Sequence, residues 1–319
     1  MMAAKTYILC PGQGAQVVGM GKDLAETFPE ARQVMEAADR ILGFSLSDVS
    51  FNGPDDRLNG TDISQPAIYS TSVASYHAAV AAGVIVPSQV GGYAGLSLGE
   101  YTALHLAGVF TFEQGLRLVA ARGRYMQEAA VAVPSGMVAI LGAEEQKVAE
   151  LCREAAGGEV LVPANLNAPG QIVVSGSAAA CQRVLHAAEA AGLKATALKV
   201  AGAFHSPLMQ PAADRMAAEF ESVPFRSPGV PVYSNVTAEP HTDSASIKRL
   251  LVAQIVSPVQ WERTMKTLLP IEGARFVELA PGRTLAGLAK RINRRLPIES
   301  VATSDAIAAA NAAAAVNAS

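Results

Sequence analysis

Apolar and polar residues fall along this chain in blocks whose lengths separate strands from helices. Thr6 to Cys10, apolar from Tyr7 onward and stopped by Pro11-Gly12-Gln13-Gly14, predicts a buried strand. Helical stretches follow at 22–41 and 65–82, the second carrying Ile68, Ser72 and Ser75 among alanines. Gln89 to Ala94 reads as a second buried strand, Glu100 to Ala107 as a helix without breakers, and 112–130 as a longer helix. Strands alternating with helices predict an α/β fold with a mainly parallel sheet covered on both faces.

Around Val133-Pro134-Ser135-Gly136 the pattern changes. Strand 137–142, helix 144–156, strands 160–165 and 171–175, helix 178–191 and strand 194–200 give a β-α-β-β-α-β order, the ferredoxin-like arrangement. The chain then returns to helix, a strand from Val230 to Ser234, and helix. A last strand, Ala274 to Leu279, feeds a basic helix from Arg283 to Arg295. This predicts a large subdomain of 1–130 and 203–304, a small inserted subdomain of 131–202, and an alanine-rich tail of 305–319. The tail has no pattern that would bury a face, so a frayed helix or disorder is expected.

Composition narrows the class. The 319 residues are 50% hydrophobic and 17% charged, with a net charge of −3, which gives no basis for nucleic-acid binding. No apolar segment reaches membrane-spanning length, and Tyr7 to Cys10 is too short for a signal-peptide core. A soluble, cytoplasmic protein without membrane partners is expected. Cys10, Cys152 and Cys181 lack metal-like spacing and read as small buried hydrophobes.

The chemistry starts at Gly95-Leu96-Ser97-Leu98-Gly99, which fits the Gly-x-Ser-x-Gly nucleophile elbow. A strand before and a helix after leave the Ser97 hydroxyl on a tight turn at a helix N-terminus. A hydroxyl needs a base. His105 lies eight residues along from Ser97, about 12 Å at 1.5 Å per residue, out of reach. His77 and His186 sit in alanine-rich helices and read as surface residues, and His241 lies in a polar loop and reads as solvated. His205 ends strand 194–200, between Ala201-Gly202-Ala203-Phe204 and Ser206-Pro207, where α/β proteins place their chemistry. Between Ser97 and His205 there is no aspartate, and the glutamates there carry solvated patterning. The expectation is a Ser-His dyad oriented by something other than a carboxylate, such as a backbone carbonyl.

On the helix 112–130, Leu116, Val119, Ala120, Gly123 and Met126 form the apolar face, and Arg117 and Arg124 lie on a solvated flank. Arg122 stands one turn from Leu118 and from Met126. A guanidinium held there needs a carboxylate or carbonyl partner: a structural ion pair, or a substrate carboxylate suited to its planar fork.

Taken together these residues resemble the malonyl-CoA:acyl carrier protein transacylases of fatty-acid synthesis and the related acyltransferase domains of polyketide synthases. The matching segments are Pro11-Gly12-Gln13-Gly14-Ala15-Gln16, Gly95 to Tyr101, Arg122-Gly123 with Met126-Gln127, Asn165 to Gln171, Gly202 to Ser206, Ser257 to Trp261, and Glu278-Leu279-Ala280-Pro281-Gly282. The resemblance implies an α/β-hydrolase-like core with an inserted ferredoxin-like subdomain. It also implies malonyl transfer from malonyl-CoA to the phosphopantetheine thiol of acyl carrier protein, by a monomer that binds no cofactor. Ser97 would accept the acyl group, His205 would be its base, and Arg122 would pair with the malonyl carboxylate. The backbone N–H groups of Gln13 and Leu98 would form the oxyanion hole, and the Gln254 carbonyl would hold the histidine.

One position departs: most members carry His where this chain has Leu96, and an altered rate or pH behaviour is expected. Phe204 resembles the malonyl-selective version of its motif, in which a ring crowds an α-methyl branch; equal use of methylmalonyl-CoA would remove that reading. Arg283, Lys290, Arg291, Arg294 and Arg295 carry five positive charges without an acid among them, either a solvated helix end or a dock for acidic carrier protein. The rival readings are a thioester hydrolase, a polyketide-pathway acyltransferase, and an idle carrier-binding protein.

Overall fold

The computed structural model describes residues 5–318. Its strands are β1 (Thr6–Cys10), β2 (Val90–Gly95), β3 (Ser135–Leu141), β4 (Leu161–Ala168), β5 (Gln171–Ser177), β6 (Lys194–Ala197), β7 (Val232–Tyr233), β8 (Arg275–Glu278) and β9 (Ile298–Ser300). Five of them form a sheet in the order β7-β2-β1-β8-β9, and every pairing in it is parallel. β1 is central and wholly buried, which is why Tyr7 to Cys10 run without a polar break after Thr6. Ile8 and Cys10 join the layer containing Ile68, Val73 and Leu116, while Tyr7 and Leu9 face Trp261, Met265 and Leu285 on the other side. The helices Thr61–Ala81 and Phe112–Ala132 pack together in the first layer.

The remaining strands form an antiparallel sheet, ordered β4-β5-β3-β6. Val138, Ile140 and Val174 pack under the helices Glu145–Ala156 and Ala178–Ala190, and the alternate residues Met137 and Val173 join the large core. Leu166 donates its N–H to the Val259 carbonyl at 2.9 Å, so this sheet is tied to the larger unit beside the site.

Register decides where chemistry can sit. Cys10 pairs with Gly95, so β1 and β2 end together and their following loops emerge side by side. Leu96 N–H donates to the Cys10 carbonyl at 3.1 Å, and a Cβ on Gly12 would lie 2.2 Å from the Leu96 carbonyl oxygen. The Pro11–Gly14 loop and the Ser97 turn therefore share the carboxyl edge of the sheet, where open α/β sheets bind ligands.

Several expected elements differ in detail. The helix expected over 22–41 is two, Lys22–Thr27 and Pro29–Leu42, because Phe28 precedes a proline and is extended. The last strand is β9, not Ala274 to Leu279, and the strand expected over 194–200 stops at Ala197. Of the frayed helix or disorder expected from 305, the helix is found, and it is not wholly unburied. It spans Ser304–Ala318, and its Ile307 is 1% exposed and packs into the large core. One isoleucine among alanines sets up no period to read. All three cysteines are buried and free.

Candidate active site

The elbow turns where β2 meets the helix Gly99–Leu106. Ser97 has φ 52°, a left-handed conformation that costs a non-glycine residue about 1 kcal/mol or more, and neighbouring contacts hold it there. Its N–H donates to Asn235 Oδ1 at 2.6 Å, while Asn235 Nδ2 donates to the Gly95 carbonyl at 2.7 Å. The flanking glycines are required by close approach. A Cβ on Gly95 would lie 1.9 Å from the Gly99 carbonyl carbon, and one on Gly99 would lie 2.0 Å from the Cys10 oxygen.

His205 also has a left-handed backbone, φ 58°, in the loop after β6. Its Nε2 is 2.8 Å from Ser97 Oγ and its Nδ1 is 2.7 Å from the Gln254 carbonyl oxygen. A carbonyl only accepts, so Nδ1 carries the proton and Nε2 is bare, ready to take the hydroxyl proton of Ser97. Burial, then the nearby Arg122 charge, push the imidazole down to about 4, against the opposing pull of the Gln254 carbonyl. Only neutral imidazole can act as base, so activity falls as pH drops through that value. The acid limb of kcat/KM is expected near pH 4 rather than near the ordinary 6.5, and a profile over acid pH checks it.

Arg122 is 1% exposed, from the helix Phe112–Ala132. Nη1 donates to Gln65 Oε1 at 2.6 Å; Nη2 donates to Gln254 Oε1 at 2.9 Å and to Ser97 Oγ at 3.0 Å. Each of these partners is neutral, so the carbonyl-type alternative, not an ion pair, describes the resting state. Among the described residues Nε has no partner. Burial lowers the guanidinium from its usual range, opposed by Tyr101 and Glu100. Arg117 and Arg124 are exposed on the same helix, Arg117 pairing with Glu113 at 2.9 Å.

Two expectations fail here. His241 is not solvated: it is buried, with Nε2 2.7 Å from Glu100 Oε1. Nor is Glu100 a solvated helix residue, being fully buried beneath the elbow. The polar loop looks exposed in sequence, but His241 N–H donates to the Val232 carbonyl at 2.8 Å and folds it against β7. His77 and His186 are exposed, as read, and His105 Nδ1 faces the Phe110 carbonyl oxygen at 3.1 Å, away from the dyad. Asn235 was missed. A polar residue just past the end of a parallel strand was the available signal.

A cavity of about 400 Å³ opens over the dyad, lined among others by Gln13, Leu96, Ser97, Arg122, Phe204 and His205. The amides Asn165, Asn167 and Gln171 from β4 and β5 form part of its wall, so both sheets contribute. Leu98 is buried at the start of the elbow helix and does not line the cavity with its side chain. Leu96 packs with the apolar layer of Tyr7 and Leu9, where a histidine would lose that contact. The basic residues divide: Lys290, Arg291 and Arg294 border one hollow with Pro169, and Arg295 is exposed just after them. Arg283 borders a different hollow that includes Asp23 and Glu299. The five do not form a single patch.

An α/β fold that sets a left-handed serine against an imidazole, beside a buried guanidinium, suits an enzyme that transfers acyl groups. The family model described as the acyl transferase domain matches residues 6–310. The chain belongs to that family. It is 39% identical over 301 residues to the malonyl CoA-acyl carrier protein transacylase of Escherichia coli K12, spanning 94% of this chain and 96% of that one. Among solved structures it resembles the malonyl CoA-acyl carrier protein transacylase of Coxiella burnetii, with TM-score 0.93 and 38% identity over 98% of each chain. It also resembles a type II polyketide malonyl-transacylase in complex with its acyl-carrier protein, with TM-score 0.91 and 37% identity over 97% and 100% of the chains.

Proposed function

We propose that this chain moves the malonyl group from malonyl-CoA to the phosphopantetheine thiol of acyl carrier protein, supplying fatty-acid synthesis. One observation carries the reading: the Ser97 hydroxyl lies between a bare imidazole nitrogen at 2.8 Å and an Arg122 amino group at 3.0 Å. Ser97 Oγ attacks the thioester carbonyl while His205 Nε2 takes its proton, and that proton leaves with the CoA sulfur. The carrier thiol then gives its proton to His205, attacks the malonyl ester, and the returning proton restores Ser97. Backbone N–H groups of Gln13 and Leu98 serve as the oxyanion hole in this reading, aided by the helix N-terminus after the serine. Arg122, which lines the cavity beside Ser97, takes the free carboxylate with its planar fork.

Incubation with malonyl-CoA followed by peptide mass spectrometry tests this. Malonyl on Ser97, lost on adding carrier protein with malonyl-carrier formed, is the expected outcome; release of free malonate at the same rate without carrier would make the chain a hydrolase. Docking of an acidic carrier at Lys290, Arg291, Arg294 and Arg295 adds a further expectation. Raising ionic strength should raise the KM for carrier by about fivefold or more, while transfer to free pantetheine changes by less than about twofold. A salt-insensitive KM for carrier would rule out that dock.

A further inference from the structure

The buried pair of Glu100 and His241 has no place in the chemistry above, yet it sits directly beneath it. Both side chains are wholly buried, and a carboxylate there costs several kcal/mol unless its oxygens are filled. They are filled by the site itself. Oε2 accepts from the Asn235 N–H at 3.0 Å and from Gln254 Nε2 at 2.7 Å, and Oε1 faces His241 Nε2 at 2.7 Å. Asn235 is the residue whose side chain holds the Ser97 N–H and the Gly95 carbonyl. Gln254 holds more still. Its backbone carbonyl takes the His205 Nδ1 proton, its Oε1 takes Arg122 Nη2, and its Nε2 also donates to the Ser97 carbonyl at 2.9 Å.

We infer that Glu100 is a positioning residue: its carboxylate, pinned by His241, ties Asn235 and Gln254 into one unit and so sets nucleophile, base and guanidinium against each other. The three functional groups come from separate loops and helices far apart in sequence. No direct bond joins His205 to Arg122; Ser97 and Gln254 are their shared partners. Reach, rather than charge, is what the geometry uses, because Oε2 must meet two donors at once from a helix fixed under β2.

The inference rests on Ser97 being the acyl acceptor, and one experiment separates the two. Single-turnover acylation is measured with malonyl-CoA and with acetyl-CoA on the full chain, for wild type, Glu100→Gln and Glu100→Asp, with each rate referred to titrated Ser97. Glutamine keeps the reach and an oxygen for Asn235 and Gln254, and its amide can donate to His241 Nε2 once the His241 proton moves to Nδ1. Aspartate keeps the charge but is shorter by about 1.5 Å. Glu100→Gln should stay within about threefold of wild type, while Glu100→Asp should lose about 30-fold or more in malonylation, as expected for ångström-scale misplacement of a reacting group. Its malonyl-over-acetyl preference should also fall by about tenfold, because Arg122 loses its Gln254 anchor. Rates per titrated site are blind to any unfolded fraction, so a merely structural role would move neither readout. An aspartate variant as fast as the glutamine variant, or equal losses with both acyl groups, would overturn the inference alone. Absence of acyl-Ser97 in wild type would overturn the function and the inference together.

Discussion

Alanine at His205 is expected to slow malonylation of Ser97 by about 10³-fold, within the range a positioned general base supplies. Once the imidazole is gone, the groups left around Ser97 Oγ are poor proton acceptors: Arg122 Nη2 is a donor, and the Gln254 side chain is already engaged by Arg122, Ser97 and Glu100. Glu100 has its own donors in Asn235, Gln254 and His241. No second base stands in reserve among the described residues at Ser97 Oγ. The fold should survive, because His205 joins cavity and loop rather than an element of the sheet. Rapid-quench acylation followed by intact mass measures the effect, with circular dichroism confirming folded protein. A loss smaller than about tenfold would show that another group takes the proton.

The histidine could be read in advance because its signal is local. A strand, a turn residue and a Ser-Pro stop lie within a dozen positions of it, and the elbow likewise carries its own glycines. Arg122 was legible by helical phase, since Leu118 and Met126 place it above an apolar stripe. The Gln254 carbonyl came only with the family resemblance, because any helix residue has a carbonyl and nothing in its side chain marks it. Glu100 and His241 were misread for a different reason. A glutamate in the first turn of a helix and a histidine beside Pro240 are both ordinary surface patterns, and their burial is made by β7 and the loop after it, 130 or more residues from the elbow. The same limit explains β9 and Ile307: three strand residues and one isoleucine carry no period, and what places them is tertiary, β8 pairing with β9 and the helix Lys22–Thr27 packing against the helix of Ile307.

Arg122→Ala is expected to cut malonylation by about 10²-fold or more while leaving acetylation within a few-fold of wild type or faster. A buried charge-assisted contact to a carboxylate is worth about 2–5 kcal/mol, much of it the penalty of leaving the other charge unpaired. In the resting enzyme the guanidinium rests on two amide oxygens and a hydroxyl, all neutral, so an incoming carboxylate is the strongest partner it can meet. Without it, the malonyl carboxylate would enter a buried site with no compensating charge, whereas an acetyl group carries no such penalty. A second readout follows from the same substitution. Arg122 is one of the causes holding His205 low, and removing it also admits water, which weakens the burial effect. Both changes act in one direction, so the acid limb should rise from about 4 toward 6.5. The alternative is that Arg122 serves chiefly to steady the developing alkoxide on Ser97, its donor to Oγ being the important contact. Then malonyl and acetyl transfer would fall together. Arg122→Lys keeps the charge but not the fork, and should recover part of the malonyl preference without restoring the full rate. Parallel kinetics with the two acyl donors separate these roles, and equal losses in the alanine variant would remove the carboxylate from the account of Arg122.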